Sequence, residues 1–161
     1  MGTTTFSGPI RSGTIRSTNG TIVGTDIANV GQVVLHQRAA ITQAATSTAF
    51  TTSIIIPGSS LITAIKLYVV TAWSGAATTG GVGYDDGAVV AATALTAAGA
   101  VAGGTIGLIS IGSGADATRI SNWLNVGVGD KRINFVSTNT GNGVGVIEVE
   151  YVQAANIAAR P

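Results

Sequence analysis

From Val30 onward, apolar and polar side chains alternate at period two through most of the chain, which predicts strands rather than helices. Val33, Leu35, Gln37, Ala39 and Ile41 alternate with Gln32, Val34, His36, Arg38 and Ala40, marking a first strand. Thr48 to Ile56 is the second, with Phe50, Thr52, Ile54 and Ile56 on one face. The most strongly patterned stretch is Thr52 to Trp73, where two β-branched runs flank Pro57-Gly58-Ser59-Ser60. That turn chemistry predicts a hairpin. In its second run Leu61, Thr63, Ile65, Leu67, Val69, Thr71 and Trp73 share one face. Ile62, Ala64, Lys66, Tyr68 and Val70 share the other, which suits water or another subunit.

The middle of the chain is less regular. Ser74 to Gly81 reads as an unburied loop of small residues, and Val82-Gly83-Tyr84 as a short strand ended by Asp85-Asp86-Gly87. The Ala-rich run that follows fits either a short helix capped by an aspartate or a strand followed by a loop. The preferred reading is one or two helical turns over Asp86 to Leu95. Thr105 to Ile111 resumes strand character, Gly112 to Thr118 is a loop, and Ile120 to Val126 is a strand or its approach.

Toward the end the pattern is clear again. Lys131 to Ser137 puts Ile133 and Phe135 on one face and Arg132 and Asn134 on the other. After a turn at residues 138–143, Ile147, Val149 and Tyr151 alternate with Glu148 and Glu150. The two carboxylates share an outward face where Arg132 or Lys66 could pair with them across the sheet. About eight strands joined by short polar turns, with no βαβ alternation, predict an all-β fold. The expected architecture is an antiparallel two-sheet β-sandwich, jelly-roll-like, with an immunoglobulin-like sandwich as the alternative strand order.

Residues 1–29 are different. Thr, Ser and Gly dominate, and Phe6, Ile10, Ile15 and Ile22 stand singly among them, too sparse to form a core. Ser7-Gly8-Pro9-Ile10-Arg11 and Ser12-Gly13-Thr14-Ile15-Arg16 repeat one phrase that closes on an Ile-Arg pair. Two organisations follow: a loose terminus, or an extended N-terminal arm that orders on a neighbouring subunit. In the second, Phe6, Ile10 and Ile15 would bury apolar surface while Arg11 and Arg16 meet carboxylates. The domain organisation is therefore an arm over 1–29 and a sandwich over 30–161.

Composition narrows the function. Only 9% of the 161 residues are charged, against about 25% in an ordinary soluble domain. Thr, Ser, Asn, Gly and Ala must cover the surface, which suits a protein packed against copies of itself or a large assembly. A formal net charge of +1 gives no long-range field for nucleic acid. With no cysteine, disulfides, thiolate metal sites and cysteine nucleophiles are out. No basic-then-apolar leader follows Met1, and Ala88 to Ala102 falls short of the roughly 20 apolar residues of a membrane-spanning helix.

Candidate chemistry is thin. His36 is the single histidine, and no motif ties a Ser or Asp to it. Asp85 and Asp86 are the best candidates for a hard cation, but no EF-hand loop or acidic cluster surrounds them, and a turn or helix cap is favoured. Glu148 and Glu150 are neighbours on one strand face rather than opposed across a cleft, unlike a glycosidase pair. The glycines form no phosphate-binding fingerprint. Trp73 and Trp123 suit core or rim packing better than a sugar platform. The expectation is a non-enzymatic protein with no cofactor.

The phrase from Phe6 to Arg16, the strand Gly31-Gln32-Val33-Val34-Leu35, Ile56-Pro57-Gly58-Ser59 leading into Ile65 to Trp73, and Ile147 to Gln153 resemble small head proteins of tailed bacteriophages. That resemblance implies a capsid decoration, or cement, protein on the outer surface of the virion. Made in the host cytoplasm, it would act as a homotrimer that bridges neighbouring major capsid subunits. The family is not enzymatic, so no active-site residue carries over. A head- or tail-fibre knob that touches the host surface is the alternative.

Overall fold

β1 (Val34–Thr42) turns Leu35, Gln37, Ala39 and Ile41 inward and His36, Arg38 and Ala40 outward, as their spacing predicts. The chain continues, in a computed structural model that describes residues 34–43, 50–88 and 90–153, with β2 (Phe50–Ile56), β3 (Leu61–Thr71) and β4 (Thr79–Asp85). After β5 (Val90–Ala91), β6 (Val101–Ala102) and β7 (Gly107–Ile111) come α1 (Ala117–Leu124), the single helix among the described residues, and then β8 (Lys131–Ser137) and β9 (Val144–Val152). Residues 1–29, proposed as an arm, lie outside the described residues, as do 154–161 of the tail.

The strands form two antiparallel sheets. Sheet A has the order β1-β9-β3-β7, and sheet B the order β2-β8-β4-β5, with β6 paired to the other end of β4. With β5 and β6 taken as one interrupted strand, this pair of orders is a jelly roll. The core lies between the sheets, with Ile41, Leu67, Ile147 and Val149 from sheet A against Ile54, Ile56, Val82, Ile133 and Phe135 from sheet B. No helix among the described residues is long and apolar enough to cross a membrane.

The jelly-roll order corrects the hairpin reading. β2 and β3 belong to different sheets, so Pro57-Gly58-Ser59-Ser60 carries the chain across the sandwich instead of folding it back. The turn still forms, with Ser60 N donating to Pro57 O and Ser59 at φ 61°. Its other backbone groups are held by the segment after α1. Ser59 N donates to Gly127 O at 2.6 Å, Gly58 N to Asp130 Oδ1 at 3.0 Å, and Val126 N to Ser60 O at 3.1 Å.

A bulge corrects the face of β3. Between Ile62 and Ala64 the register with β9 shifts, leaving Thr63 as the extra residue. Ile62 is therefore buried, while Leu61 and Thr63 leave the inner face and Ile65, Leu67 and Val69 resume it. A second shift at Val70 leaves Thr71, also expected inward, exposed, and Trp73 returns to the core. Two further expectations fail for backbone reasons. The 74–81 loop ends early, because Thr79-Gly80-Gly81 opens β4, where both glycines are buried. No helix forms over Asp86 to Leu95, since β4 needs a partner on its second side. Val82 O accepts from Leu95 N and Thr96 N, Val82 N donates to Thr96 Oγ1, and Leu95 and Val101 drop into the core.

Ile120 to Val126 is not a strand. Asp116 caps α1 by accepting from Arg119 N at 2.9 Å, and Ile120, Trp123 and Leu124 follow helical rather than alternating spacing. The helix fastens the 93–95 segment through side chains. Arg119 Nε, Asn122 Nδ2 and Trp123 Nε1 donate to the carbonyls of Thr93, Ala94 and Leu95 at 3.3, 3.0 and 2.9 Å. Asn134, expected outward, is fully buried beside Gly83, where residues 91–97 lie over β4.

Two glutamines of the first strand region bind backbone that the ladders leave unpaired. Gln37 accepts from Ile55 N at 3.1 Å and donates to Ile55 O at 2.7 Å, which stitches edge strand β1 to edge strand β2. Gln43 is buried and gathers two loops, accepting from Ser74 N and Gly143 N and donating to Ser74 O.

Trp73 packs edge-on against Phe135, with ring centroids 5.0 Å apart, and the backbones of Gly103 and Gly143 lie against its ring. A Cβ at either glycine would overlap the indole. Gly143→Ala and Gly103→Ala should each cost about 1–3 kcal/mol by overpacking, read as a lower urea midpoint at unchanged slope. Gly112→Ala, whose Cβ would meet nothing within 4 Å, is the control and should shift the midpoint little.

Candidate interaction surface

β9 is the second strand of sheet A and pairs with β1 on one side and β3 on the other. Its inward residues Ile147, Val149 and Tyr151 belong to the core, so Glu148 and Glu150 must point outward. The register then assigns their neighbours. Glu148 lies between Arg38 on β1 and Lys66 on β3, and Glu150 lies between His36 and Ala64.

A ladder of charges results. Arg38 Nε is 2.7 Å from Glu148 Oε2, and Lys66 Nζ is 3.7 Å from Glu148 Oε1. Thr63, freed by the bulge, donates from Oγ1 to Glu150 Oε1 at 2.8 Å. His36 turns Nδ1 toward Glu148 and Nε2 toward Glu150, at 3.7 and 3.8 Å, beyond hydrogen-bond length. Both ring nitrogens thus face carboxylates. Glu148 is 5% exposed, buried under its own partners.

Lys66 pairs with a carboxylate as anticipated. Arg132 does not: it sits on β8 in sheet B, opposite Ile55 and Asp85, because sheet membership decided the matter rather than face. Beyond the ladder the outer face of sheet A becomes apolar. Ala40, Val146, Tyr68 and Leu108 form the next cross-strand row; beyond it Val144 lies between Thr42 and Thr71, and Val70 is the extra residue of a second bulge. Tyr68, Val70, Leu108 and Val144 are exposed. Sequence reasoning placed Tyr68 and Val70 on this face together with Ile62, which the bulge removes. It did not find Leu108, whose membership depends on β7 pairing with β3.

The remaining candidates take structural places. Asp85 Oδ1 accepts from Gly87 N at 2.7 Å and Asp86 Oδ1 from Ala88 N at 3.1 Å, so both shape a turn. Asp86 also holds Lys131 at 2.9 Å. Among the described residues no group of three or more His, Cys, Asp or Glu could hold a metal ion. Trp73 is a core residue and Trp123 packs against the core. Phe6, Ile10, Arg11, Ile15 and Arg16 lie outside the described residues.

No protein-family model matches the sequence, and no curated protein matches it significantly. The fold is similar to that of solved chains. One, from the capsid of Ralstonia phage GP4, is 17% identical at a TM-score of 0.56, covering 87% of this chain and 92% of that one. Another, from the capsid asymmetric unit of cyanophage Pam1, is 18% identical at a TM-score of 0.54, covering 85% and 98%. At such identity the likeness is one of fold.

The ladder sets a testable asymmetry. Glu148→Gln removes the charge shared by Arg38 and Lys66 at a buried position and should cost about 1–3 kcal/mol. Arg38→Ala removes a largely exposed partner and should cost no more than about 1 kcal/mol. Urea denaturation of the two variants checks the order, and equal losses would show that the ladder does not centre on Glu148.

Proposed function

We propose that this chain is a structural protein of a phage virion, a decoration or cement protein that binds the outer surface of the capsid and bridges neighbouring major capsid subunits. The likeness to two chains from phage capsids, each matched over more than nine-tenths of its own length, carries this reading. The chemistry of the surface agrees with it. Charge is scarce, the ladder is neutralised within one sheet, and the row beside it is apolar, which favours protein contact over catalysis. The decoration role and the homotrimer rest also on the sequence resemblance.

The mechanism is summed binding. A trimer on the shell engages several capsid subunits at once, and linked weak contacts give an avidity far above any one of them. The proposed arm supplies part of this contact. An extended segment gains by lying across a partner, where Ile10 and Ile15 lose water and Arg11 and Arg16 meet carboxylates. Each buried isoleucine contributes roughly 1.5–3 kcal/mol before ordering is subtracted.

Purified protein added to particles that lack it should bind them and raise their resistance to heat. Absence of binding at micromolar protein would count against the reading. Deleting residues 2–20 should leave the melting curve of the sandwich in place and sharply lower occupancy on the same particles. Equal occupancy would reduce the arm to a loose terminus.

A further inference from the structure

We propose that copies of this chain join head to tail, with the ridge of α1 and its following loop in one copy seated on the apolar patch of sheet A in the next. The proposal rests on the multi-copy reading above and names the interface that reading lacks.

The ridge is unusual for a short helix. α1 buries none of its residues, and although Arg119, Asn122 and Trp123 are engaged with the 93–95 segment, Ile120 and Leu124 are left facing out. Leu124 is 64% exposed and Val128, just beyond the helix, is fully exposed at 101%. In the patch on sheet A, Val70 is 59% and Leu108 57% exposed. Single exposed apolar residues need no explanation, but two clusters on one charge-poor chain do.

The two clusters lie toward opposite ends of β3. Val126, just after α1, bonds to Ser60 at the start of that strand, while the apolar patch begins at Tyr68 and runs toward its far end. At about 3.3 Å per residue, the strand's 11 residues separate its ends by roughly 30 Å. Patches so placed differ in shape, one a ridge and one a flat sheet face. Either patch pairing with its own copy would leave the other exposed. A head-to-tail contact covers both at once, and such a contact closes into a ring when its rotation allows.

Spacing and charge match as well. Asp116, Ile120 and Leu124 stand four residues apart, about 6 Å per step along a helix. Successive outward rows of a strand stand about 6.6 Å apart. With Ile120 over the Tyr68–Leu108 row and Leu124 over Val70, Asp116 falls on the charged row. There Lys66, on β3 itself, stands 3.7 Å from Glu148 with its side chain 32% exposed, and Asp116, which caps α1 through Oδ1 and holds Oδ2 3.7 Å from Arg119, is 46% exposed. A carboxylate thus meets a cation, and the pairing fixes the direction of the helix across the sheet.

The absence of cysteine makes the test direct. Full-length Leu108→Cys and Leu124→Cys variants, one isotopically labelled, are mixed and treated with a short bis-maleimide. The expected product is a dimer joining the two different variants, with little product from either alone. Self-linked Leu108→Cys or Leu124→Cys dimers would overturn the proposal in favour of face-to-face pairing. Light scattering on Leu124→Glu combined with Val128→Glu should show assembly weakened at least tenfold, with the melting curve retained because both positions are exposed. Undiminished assembly of that variant, or a wild-type chain that stays monomeric both in solution and on particles, would also overturn it. Wild-type monomers that still coat particles would sink this interface alone. Head-to-tail rings that bind no particle would sink the capsid reading alone.

Discussion

The register of β9 between β1 and β3 determines both sides of sheet A. Ile147, Val149 and Tyr151 reach the core only in this register, and a slip of one residue would send them to the outer face and bring Glu148 and Glu150 inward. Two ladders holding one strand make such a slip expensive. The same register brings Arg38 and Lys66 to Glu148 and sets Val146 beside Tyr68. Core and interaction surface are thus two faces of one pairing decision.

A chain with so few charges cannot rely on ion pairs to satisfy its loose backbone, and amides and hydroxyls take that role. Gln37 stitches the β1 and β2 edges, Gln43 gathers the Ser74 and Gly143 loops, and Thr96 completes the second side of β4. Side-chain hydrogen bonds of this kind add about 1 kcal/mol each, but leaving the same groups buried and unpaired costs more. Four of the charges, Arg38, Lys66, Glu148 and Glu150, share one outward face, where they neutralise each other beside an apolar row.

Much of the fold was legible because a half-buried strand must alternate. β1, β8 and β9 follow from Leu35 to Ile41, Ile133 with Phe135, and Ile147 to Tyr151 in that simple way. What alternation cannot show is which sheet receives the next strand. Pro57 to Ser60 has the residues of a turn whether the chain folds back or crosses, and the spacing of Arg132 does not show that it lies in the sheet opposite the carboxylates. A one-residue bulge at Thr63 inverts the face of everything before it without changing composition. Ile120, Asn122 and Leu124 also alternate, which hid a helix that Asp116 caps and the 93–95 carbonyls hold in place. The outward pair of glutamates was legible. Leu108 was not, because a row across four strands exists only in the assembled sheet.

The central claim is that this sandwich acts by covering a shell in many copies, its individual contacts being weak and its surface poor in charge. The most direct measurement is imaging of the intact particle that carries the protein, with the jelly roll located and its copies counted. Copies repeated over the whole shell, each touching more than one major capsid subunit, are the predicted result. A few copies confined to one vertex would contradict the account and assign the protein to a fibre.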